Sequence, residues 1–225
     1  MRLSSDILNF STLMRQAPRS VGRSDWGLFL TESFRSFNTT ASLLPSSKHL
    51  ASALMRPIDF DRARVIVELG VGTGAVTLEL LQRMRSDARL YALDINARFI
   101  EFVRETIPDP RLVPVVGAAE DLGEILRELG ARKADAIISS LGLTTMQDNQ
   151  RERILREMRE CLAHGGVMSQ FQYWHSRGGP RWMRAFGLHG FPEEEFLRQY
   201  FHRISAYHVF RNFPPATVYS CRFAT

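Results

Sequence analysis

A glycine-rich turn between an apolar strand and a helical pattern is the feature that most constrains the fold of this chain. Residues 67–74 read V-E-L-G-V-G-T-G, at the end of the apolar run 64–69 and before a helical pattern. Gly70 and Gly72 allow a sharp backbone turn and close approach to a ligand, while Gly74 permits tight packing of helix on strand. The motif therefore predicts a binding turn at the carboxyl end of a strand.

Short apolar runs alternate with helical patterns through most of the chain. We predict strands at 64–69, 89–93, 112–116, 134–140 and 166–172, and helices at 75–86, 97–106, 121–129 and 148–162. Continuous apolar strands separated by helices are typical of a parallel sheet that is covered on both faces. Two further strands, 202–211 and 216–223, are joined by a short proline-containing connection, which predicts an antiparallel hairpin. The predicted fold is α/β, with a seven-stranded mixed sheet and a C-terminal hairpin.

Length and composition indicate one globular domain with a helical extension. The chain has 225 residues, of which 44% are apolar, so it is long enough for a full core. We predict an N-terminal helical extension at residues 1–60, attached to the front of a domain at 61–225. No apolar run approaches the roughly 20 residues of a spanning helix, and we find no pattern of a secretory signal. Cys161 and Cys221 predict buried thiols, and no cluster of residues predicts a metal site.

The residues around the glycine turn resemble a known cofactor motif. Glu68, together with the three glycines that follow it, gives E-x-G-x-G-x-G, which resembles the first motif of S-adenosylmethionine-dependent methyltransferases. The resemblance implies a Rossmann-like class I fold, with S-adenosyl-L-methionine as cofactor and S-adenosyl-L-homocysteine as product. It also implies that the loop, including Thr73, lies under the methionine part of the cofactor. Nicotinamide enzymes use a similar glycine turn, so the turn alone does not separate the two classes.

Polar residues after the next strands complete the predicted cofactor site. Asp94 ends the second strand, where its carboxylate is placed to accept hydrogen bonds from ribose hydroxyls. The resemblance implies a carboxylate near the adenine from Glu120 and Asp121, although Asp121 is equally a candidate N-cap for the helix that it begins. We also expect Ile95 and Ser140 to contact the cofactor.

The run R-N-F-P-P-A-T-V-Y at residues 211–219 raises the question of base methylation. In methylases that modify an amino group of a nucleic-acid base, an N-x-P-P type motif follows the fourth strand. In this chain the fourth strand ends in the run S-S-L-G-L at residues 139–143, which contains no Asn, Pro or aromatic residue. The N-F-P-P run lies instead between the last two strands, where two prolines fix φ angles and stop further strand pairing. The motif therefore does not indicate base methylation.

The same run, together with V-E-L-G-V-G-T-G-A-V-T and S-Q-F-Q-Y, resembles the soluble bacterial phospholipid N-methyltransferases from about Ser33 to the end of the chain. The resemblance implies stepwise methylation of phosphatidylethanolamine toward phosphatidylcholine, so we expect a phospholipid substrate and not nucleic acid. Because that family is similar to the rRNA adenine dimethylases, an RNA or small-amine methyltransferase stays an alternative. The sequence is also compatible with a different amino-lipid substrate, such as an ornithine lipid, and with a cofactor-binding module that has lost catalysis.

The sequence indicates fewer residues for binding the methyl acceptor than for binding the cofactor. We predict Tyr173 and His175, just after the fifth strand, as catalytic residues that accept a hydrogen bond or a proton from the amine. Lys48, Arg177 and Arg211 are candidate ligands of the headgroup phosphate, because Lys and Arg side chains bind phosphate through charge-assisted hydrogen bonds.

The N-terminus carries a short amphipathic pattern. Leu3, Ile7, Phe10 and Met14 recur at helical spacing, and several arginines follow them in a chain of formal net charge +5. A basic amphipathic helix of this kind lies in the interface plane of an anionic bilayer. We therefore predict membrane contact by this helix, with packing of the stripe on its own domain as the alternative. The expected location is cytoplasmic and peripheral, on the inner face of the cytoplasmic membrane.

Overall fold

The computed structural model describes residues 48–174, 193–212 and 214–222. Its strands are β1 (Val65–Leu69), β2 (Arg89–Asp94), β3 (Leu112–Val116), β4 (Ala134–Ser139), β5 (Leu162–Tyr173), β6 (Arg203–Val209) and β7 (Ala216–Arg222). Its helices are α1 (Lys48–Met55), α2 (Ala75–Arg83), α3 (Ala97–Thr106), α4 (Leu122–Glu128), α5 (Asp148–Cys161) and α6 (Glu193–Leu197). Short 3-10 turns occupy Ala119–Asp121 and Leu143–Thr145.

The seven strands form one sheet in the order β3-β2-β1-β4-β5-β7-β6. Strands β1 to β5 are parallel, and β7 is antiparallel to both β5 and β6. The predicted α/β fold with a seven-stranded mixed sheet and a C-terminal hairpin is therefore confirmed. Because Tyr173 at the end of β5 pairs with Ala216 at the start of β7, the turn between β6 and β7 lies at the same edge as the carboxyl ends of β1 to β4.

Helices cover both faces of the sheet because its strands carry apolar side chains on both sides. One core contains Leu50 of α1, Leu80 of α2 and Phe102 of α3. The opposite core contains buried residues of α4, α5 and α6. Both cysteines are buried thiols, as predicted, and burial raises the pKa of Cys161 to about 11. Two-sided burial is what the continuous apolar strands predict.

Helix α1 is built into the core of the sheet domain, although it falls in the predicted extension 1–60. Leu50 and Leu54 are fully buried against the sheet. The chain after α1 is held by Arg222 at the end of β7, whose Nη2 donates to the carbonyl of Pro57 at 2.7 Å. Helix α1 thus ends near the amino edge of the parallel strands, and Lys48 opens it at the other end. No helix in the described part of the chain is both long and apolar enough to span a bilayer.

Two element boundaries differ by more than two residues from those predicted. Helix α2 ends at Arg83 and not at 86, because Met84 takes an extended conformation with ψ 146°. Strand β5 begins at Leu162 and not at 166, since Leu162 already pairs with Ala134 before the register shifts. A bulge of this kind adds residues to one strand without ending the ladder, and the alternation of apolar residues does not reveal it.

Candidate functional site

A cleft of about 570 Å³ opens at the carboxyl edge of the sheet. Its walls come from the segments that follow β1, β2, β3 and β4, with one side closed by α5. The lining residues used below are Gly70, Gly72, Asp94, Ile95, Glu120, Ser140, Leu141 and Gln150. The cleft lies outside the carboxyl ends of parallel strands, which is where open α/β sheets bind ligands. Its volume falls within the range of small-molecule and cofactor sites.

The glycine turn forms one wall of the cleft through backbone conformations that favour glycine. Gly70 and Gly72 have φ angles of +81° and +53°. A Cβ on Gly70 would lie 3.3 Å from Leu141 Cδ2, whereas a Cβ on Gly72 would meet nothing within 4 Å. Gly74 has a different task, because a Cβ there would lie 2.9 Å from Ile107 Cδ1. Gly74 therefore permits close packing beside α3, and it is not among the lining residues.

Asp94 joins the glycine turn to the end of β2. Its Oδ2 accepts a hydrogen bond from the backbone N–H of Gly72 at 3.0 Å, and its Oδ1 accepts one from the N–H of Asn96 at 2.9 Å. Burial raises the pKa of the Asp94 carboxyl, and these two N–H groups oppose the rise. Each carboxylate oxygen has a second lone pair, so the group can still accept hydrogen bonds from a ligand in the cleft.

Glu68 lies beneath the glycine turn and outside the cleft lining. It is fully buried, and its Oε2 accepts a hydrogen bond from Thr77 Oγ1 of α2 at 2.7 Å. Its Oε1 has no hydrogen-bond partner among the described residues. Burial raises the pKa of this carboxyl to about 8, with the Asp94 carboxylate adding a smaller rise and the Thr77 hydroxyl opposing it. Glu68 thus ties β1 to α2 across the base of the turn.

Ile95 and Glu120 line the cleft beyond Asp94. Ile95 is 76% exposed at the rim, where a large apolar side chain can flank a planar ring. Glu120 Oε1 accepts a hydrogen bond from Gln150 Nε2 at 2.8 Å. Asp121 is exposed at the N-cap position of α4 but makes no capping hydrogen bond. Neither Asp121 nor Thr73 is among the lining residues.

The segment after β4 closes the side of the cleft that lies toward β5. Ser140 Oγ is buried and has no hydrogen-bond partner among the described residues, although Ser140 lines the cleft. The next carbonyl is held by a side chain from β5, since Gln170 Nε2 donates to Leu141 O at 2.9 Å. Leu141, which lines the cleft, and Gln170, which holds its carbonyl, were not predicted from the sequence. The signal available in the sequence was the polar run Ser169, Gln170 and Gln172 in a strand of a sheet that is covered on both faces, and the structure buries all three side chains.

Comparisons with known proteins identify the family. Residues 66–166 match a methyltransferase domain model. The chain is 31% identical over 199 residues to the ornithine lipid N-methyltransferase of Singulisphaera acidiphila, an alignment that covers 88% of this chain and 96% of that protein. The chain is a class I S-adenosylmethionine-dependent methyltransferase.

Other methyltransferases are similar to this chain in fold at lower identity, or in sequence over a shorter stretch. The N-methyltransferase NodS of Bradyrhizobium japonicum, solved with S-adenosyl-L-homocysteine, superposes with a TM-score of 0.61 at 16% identity, over 86% of this chain and 99% of that one. A small-subunit ribosomal RNA methyltransferase H of Acinetobacter baumannii is 30% identical over 90 residues, which is 40% of this chain and 29% of that protein. The cofactor of this methyltransferase is S-adenosylmethionine, as predicted, and the size and polar groups of the cleft fit it.

Several of the predicted cofactor residues of the methyltransferase line the cleft, whereas none of its predicted acceptor residues does so among those that the structure describes. Tyr173 ends β5 and is 8% exposed, with its ring packed edge-on against Phe171 at 5.1 Å between centroids. It is not among the residues that line the cleft. Lys48 and Arg211 are both exposed, and Arg211 lies in the turn between β6 and β7.

The remaining predicted site residues lie outside the described part of the chain, so their roles stay predictions. They are His175 and Arg177 on the acceptor side, and Leu3, Ile7, Phe10 and Met14 at the N-terminus.

The N-F-P-P run lies in the turn between the last two strands, as predicted. Asn212 is buried, and its Nδ2 donates to the carbonyl of Pro214 at 2.7 Å. The Asn side chain therefore organises its own turn. It does not follow β4, where an amino-methylase of nucleic-acid bases carries the corresponding motif.

Proposed function

We propose that this methyltransferase methylates the amine of a membrane amino-lipid, with an ornithine lipid as the first candidate substrate. The observation that carries the proposal is the 31% identity to an ornithine lipid N-methyltransferase over 96% of that protein. Phosphatidylethanolamine is the second candidate, because the N-F-P-P-A turn and the S-Q-F-Q-Y strand resemble phospholipid N-methyltransferases. Both lipids present a primary amine at the surface of a bilayer.

In this proposal, different residues of the cleft bind different parts of the cofactor. The glycine turn carries the methionine part, and Asp94 accepts hydrogen bonds from the ribose hydroxyls. Ile95 flanks the adenine, while Glu120, held by Gln150, faces its polar edge. When bound, S-adenosylmethionine supplies an electrophilic methyl group on a sulfonium. Glu68 acts from below by holding α2 against β1.

The acceptor amine is proposed to bind at the end of β4. The nitrogen must be neutral to attack, whereas an alkylamine with a pKa of about 10 is mostly protonated near neutral pH. Ser140 Oγ and the Leu141 carbonyl offer two oxygens that accept N–H hydrogens and so direct the nitrogen lone pair. Gln170 fixes the direction of the Leu141 carbonyl, whose second lone pair stays available. Positioning of this kind supplies much of the acceleration of a bimolecular transfer.

Tyr173 and His175 remain the proposed bases. Tyr173 adjoins the acceptor side because β5 ends there, although its ring packs on Phe171. Lys48 and Arg211 remain the proposed phosphate ligands for a phosphatidylethanolamine headgroup.

The substrate is tested by incubating the full chain with methyl-labelled cofactor and vesicles that contain ornithine lipid, phosphatidylethanolamine or only phosphatidylcholine, or with ribosomal RNA. We expect label in the lipid phase with ornithine lipid, less with phosphatidylethanolamine and none with phosphatidylcholine, which has no N–H to lose. Label in RNA alone would overturn the lipid proposal. No label in any sample, with cofactor binding intact, would identify a binding module without catalysis.

A variant pair in the same assay tests the amine site. Ser140→Ala removes the buried hydroxyl, and we expect a higher KM for the lipid or a lower kcat with little change in cofactor affinity. Ser205→Ala removes an exposed hydroxyl from β6 and should change neither constant. If Ser140→Ala weakens only cofactor binding, the hydroxyl serves the cofactor and not the amine.

We extend the proposal to location: a cytoplasmic protein, peripheral on the inner face of the membrane, in which residues 1–60 contact the membrane and cover the active site of the domain 61–225. The support is the apolar stripe of the N-terminal sequence. Attraction of arginines to anionic lipid is screened over about 10 Å at 0.1 M salt, so vesicle binding should weaken as salt rises.

The stripe itself is tested by a charge-matched pair of variants. Ile7→Asp and Asn9→Asp each add one negative charge, but only Ile7 belongs to the apolar stripe. We expect Ile7→Asp to reduce co-sedimentation with anionic vesicles far more than Asn9→Asp. Equal losses would show that charge alone matters, and loss of cofactor binding in Ile7→Asp would place the helix on its own domain.

A further inference from the structure

Three aromatic rings form a compact cluster at the carboxyl edge, beyond the ends of the parallel strands. Trp174 follows β5, His208 lies near the end of β6, and Phe210 begins the turn between β6 and β7. The ring centroids of Trp174 and Phe210 are 5.2 Å apart, those of Trp174 and His208 5.8 Å, and those of His208 and Phe210 6.2 Å. All three pairs meet edge to face. Phe210 is 68% exposed despite these contacts.

Hydrogen bonds hold this aromatic cluster in place. The indole Nε1 of Trp174 donates to Thr217 Oγ1 at 3.1 Å, and His208 Nδ1 lies 3.1 Å from the same hydroxyl. The backbone N–H of Trp174 donates to the carbonyl of Pro215 at 2.9 Å, which ties the end of β5 to the turn. The indole Nε1 of Trp174 and Nδ1 of His208 are thus both held at the hydroxyl of Thr217, and Phe210 at the start of the turn presents an apolar ring to solvent.

The spacing of the rings argues against an aromatic cage for a methylated ammonium. In a cage the rings surround the cation, each with its centroid within about 6 Å of the charge. Here the rings touch one another, so no space for a trimethylammonium group lies between them. The aromatic cluster is therefore a contact surface and not a pocket.

We propose that the aromatic cluster, with Arg211 beside it, seats the protein on the interface of a lipid bilayer. Phe210 supplies exposed apolar surface, and Trp174 is of the type that concentrates at membrane interfaces. Arg211 is exposed and makes no ion pair among the described residues, so it is available to anionic headgroups. The position of the aromatic cluster also supports the proposal, because the cluster lies at the same edge of the sheet as the cofactor cleft. This inference rests on the proposed lipid substrate, because the surface would hold the membrane where the amine has to enter.

Co-sedimentation of the full chain with vesicles of phosphatidylcholine and phosphatidylglycerol tests the proposal. We expect Phe210→Ser to weaken vesicle binding by about tenfold, as loss of one partly inserted aromatic side chain implies. Phe210→Trp should bind as the unmodified chain does. Leu129→Ser is the matched control, because Leu129 is 40% exposed at the end of α4, away from the carboxyl edge. Unchanged binding by Phe210→Ser, or an equal loss in Leu129→Ser, would overturn the proposal.

Two further measurements separate this surface from folding and from the substrate. Calorimetric cofactor binding by Phe210→Ser should match that of the unmodified chain, and transfer to amino-lipid in detergent micelles should be retained while transfer to vesicles falls. If Phe210→Ser does not fold, Arg211→Glu takes its place and should lose binding to anionic vesicles. If vesicle binding depends on Phe210 but no amino-lipid accepts label, the surface stands and the proposed function fails.

Discussion

Gly70→Val is expected to weaken cofactor binding by roughly a hundredfold while the sheet stays folded. Gly70 has a φ of +81°, and a Cβ there would lie 3.3 Å from Leu141 Cδ2 and 3.4 Å from the Ser140 carbonyl carbon. A branched side chain forces the turn to move into the cleft or away from β4. Positive φ costs about 1–2 kcal/mol for a residue with a Cβ, which is less than the usual 5–15 kcal/mol of folding stability. Calorimetric titration with S-adenosyl-L-homocysteine measures the loss.

Gly130→Val is the matched control for this substitution. Gly130 has a φ of +77°, so the same side chain strains the backbone there in the same way, but its Cβ would meet nothing within 4 Å. We expect Gly130→Val to lower the melting temperature about as much as Gly70→Val and to bind the cofactor normally. A similar loss of affinity in both variants would mean that general destabilisation, and not the shape of the glycine turn, accounts for the effect.

Glu68→Gln is expected to remove a pH dependence from folding stability. In the unfolded chain Glu68 loses its proton near its ordinary pKa of 4.5, whereas in the fold it keeps the proton up to about 8. Between these values the folded state binds more protons, so the contribution of Glu68 to stability falls as pH rises. The pKa difference corresponds to on the order of 5 kcal/mol above pH 8. Glutamine keeps the acceptor for Thr77 without an ionisable proton.

Chemical denaturation of both proteins between pH 5 and 9 tests this expectation. The variant should be close to the unmodified chain in stability at pH 5 and clearly more stable at pH 9. Glu101→Gln, which removes an exposed carboxylate from α3, is the control and should keep the slope of the unmodified chain. Parallel curves for Glu68→Gln and the unmodified chain would show that the buried carboxyl ionises without cost.

Much of the fold was predictable because its signals are local. The apolar runs gave β1 to β4 to within one residue of their observed bounds, since each is a short buried strand bounded by turns. The start of β5 was missed because it depends on pairing with Ala134 in a strand that lies more than twenty residues earlier. The hairpin was predicted from its turn, but its position at the cofactor edge follows only from the register of β7 on β5.

The sequence predicted several residues that line the cleft, but it did not predict the contact between Gln170 and Leu141, and the reason is physical. Gly70, Gly72 and Asp94 take their positions from backbone geometry and hydrogen bonds at strand ends. These features are local in the chain, so a sequence motif can predict them. Gln170 and Leu141 meet because Ser139 pairs with Gln170 across two strands, and no spacing along the chain records that contact. For Asp121 the sequence predicted two alternative roles, a carboxylate near the adenine and an N-cap of α4. In the structure Asp121 neither lines the cleft nor makes a capping hydrogen bond.

The order of strands in the sheet also sets an order of assembly during synthesis. Within the described residues β6 pairs only with β7, and β7 is inserted between β5 and β6. A ribosome synthesises about 5–20 residues per second from the N-terminus, so β1 to β5 are made before β7, the strand that joins β6 to the sheet. The segments that line the cleft are therefore synthesised first, while β6 and the turn with Phe210 join the sheet only through the last strand. A chain stopped before β7 would then contain every strand end that lines the cleft but would lack the strand on which the proposed membrane surface is built.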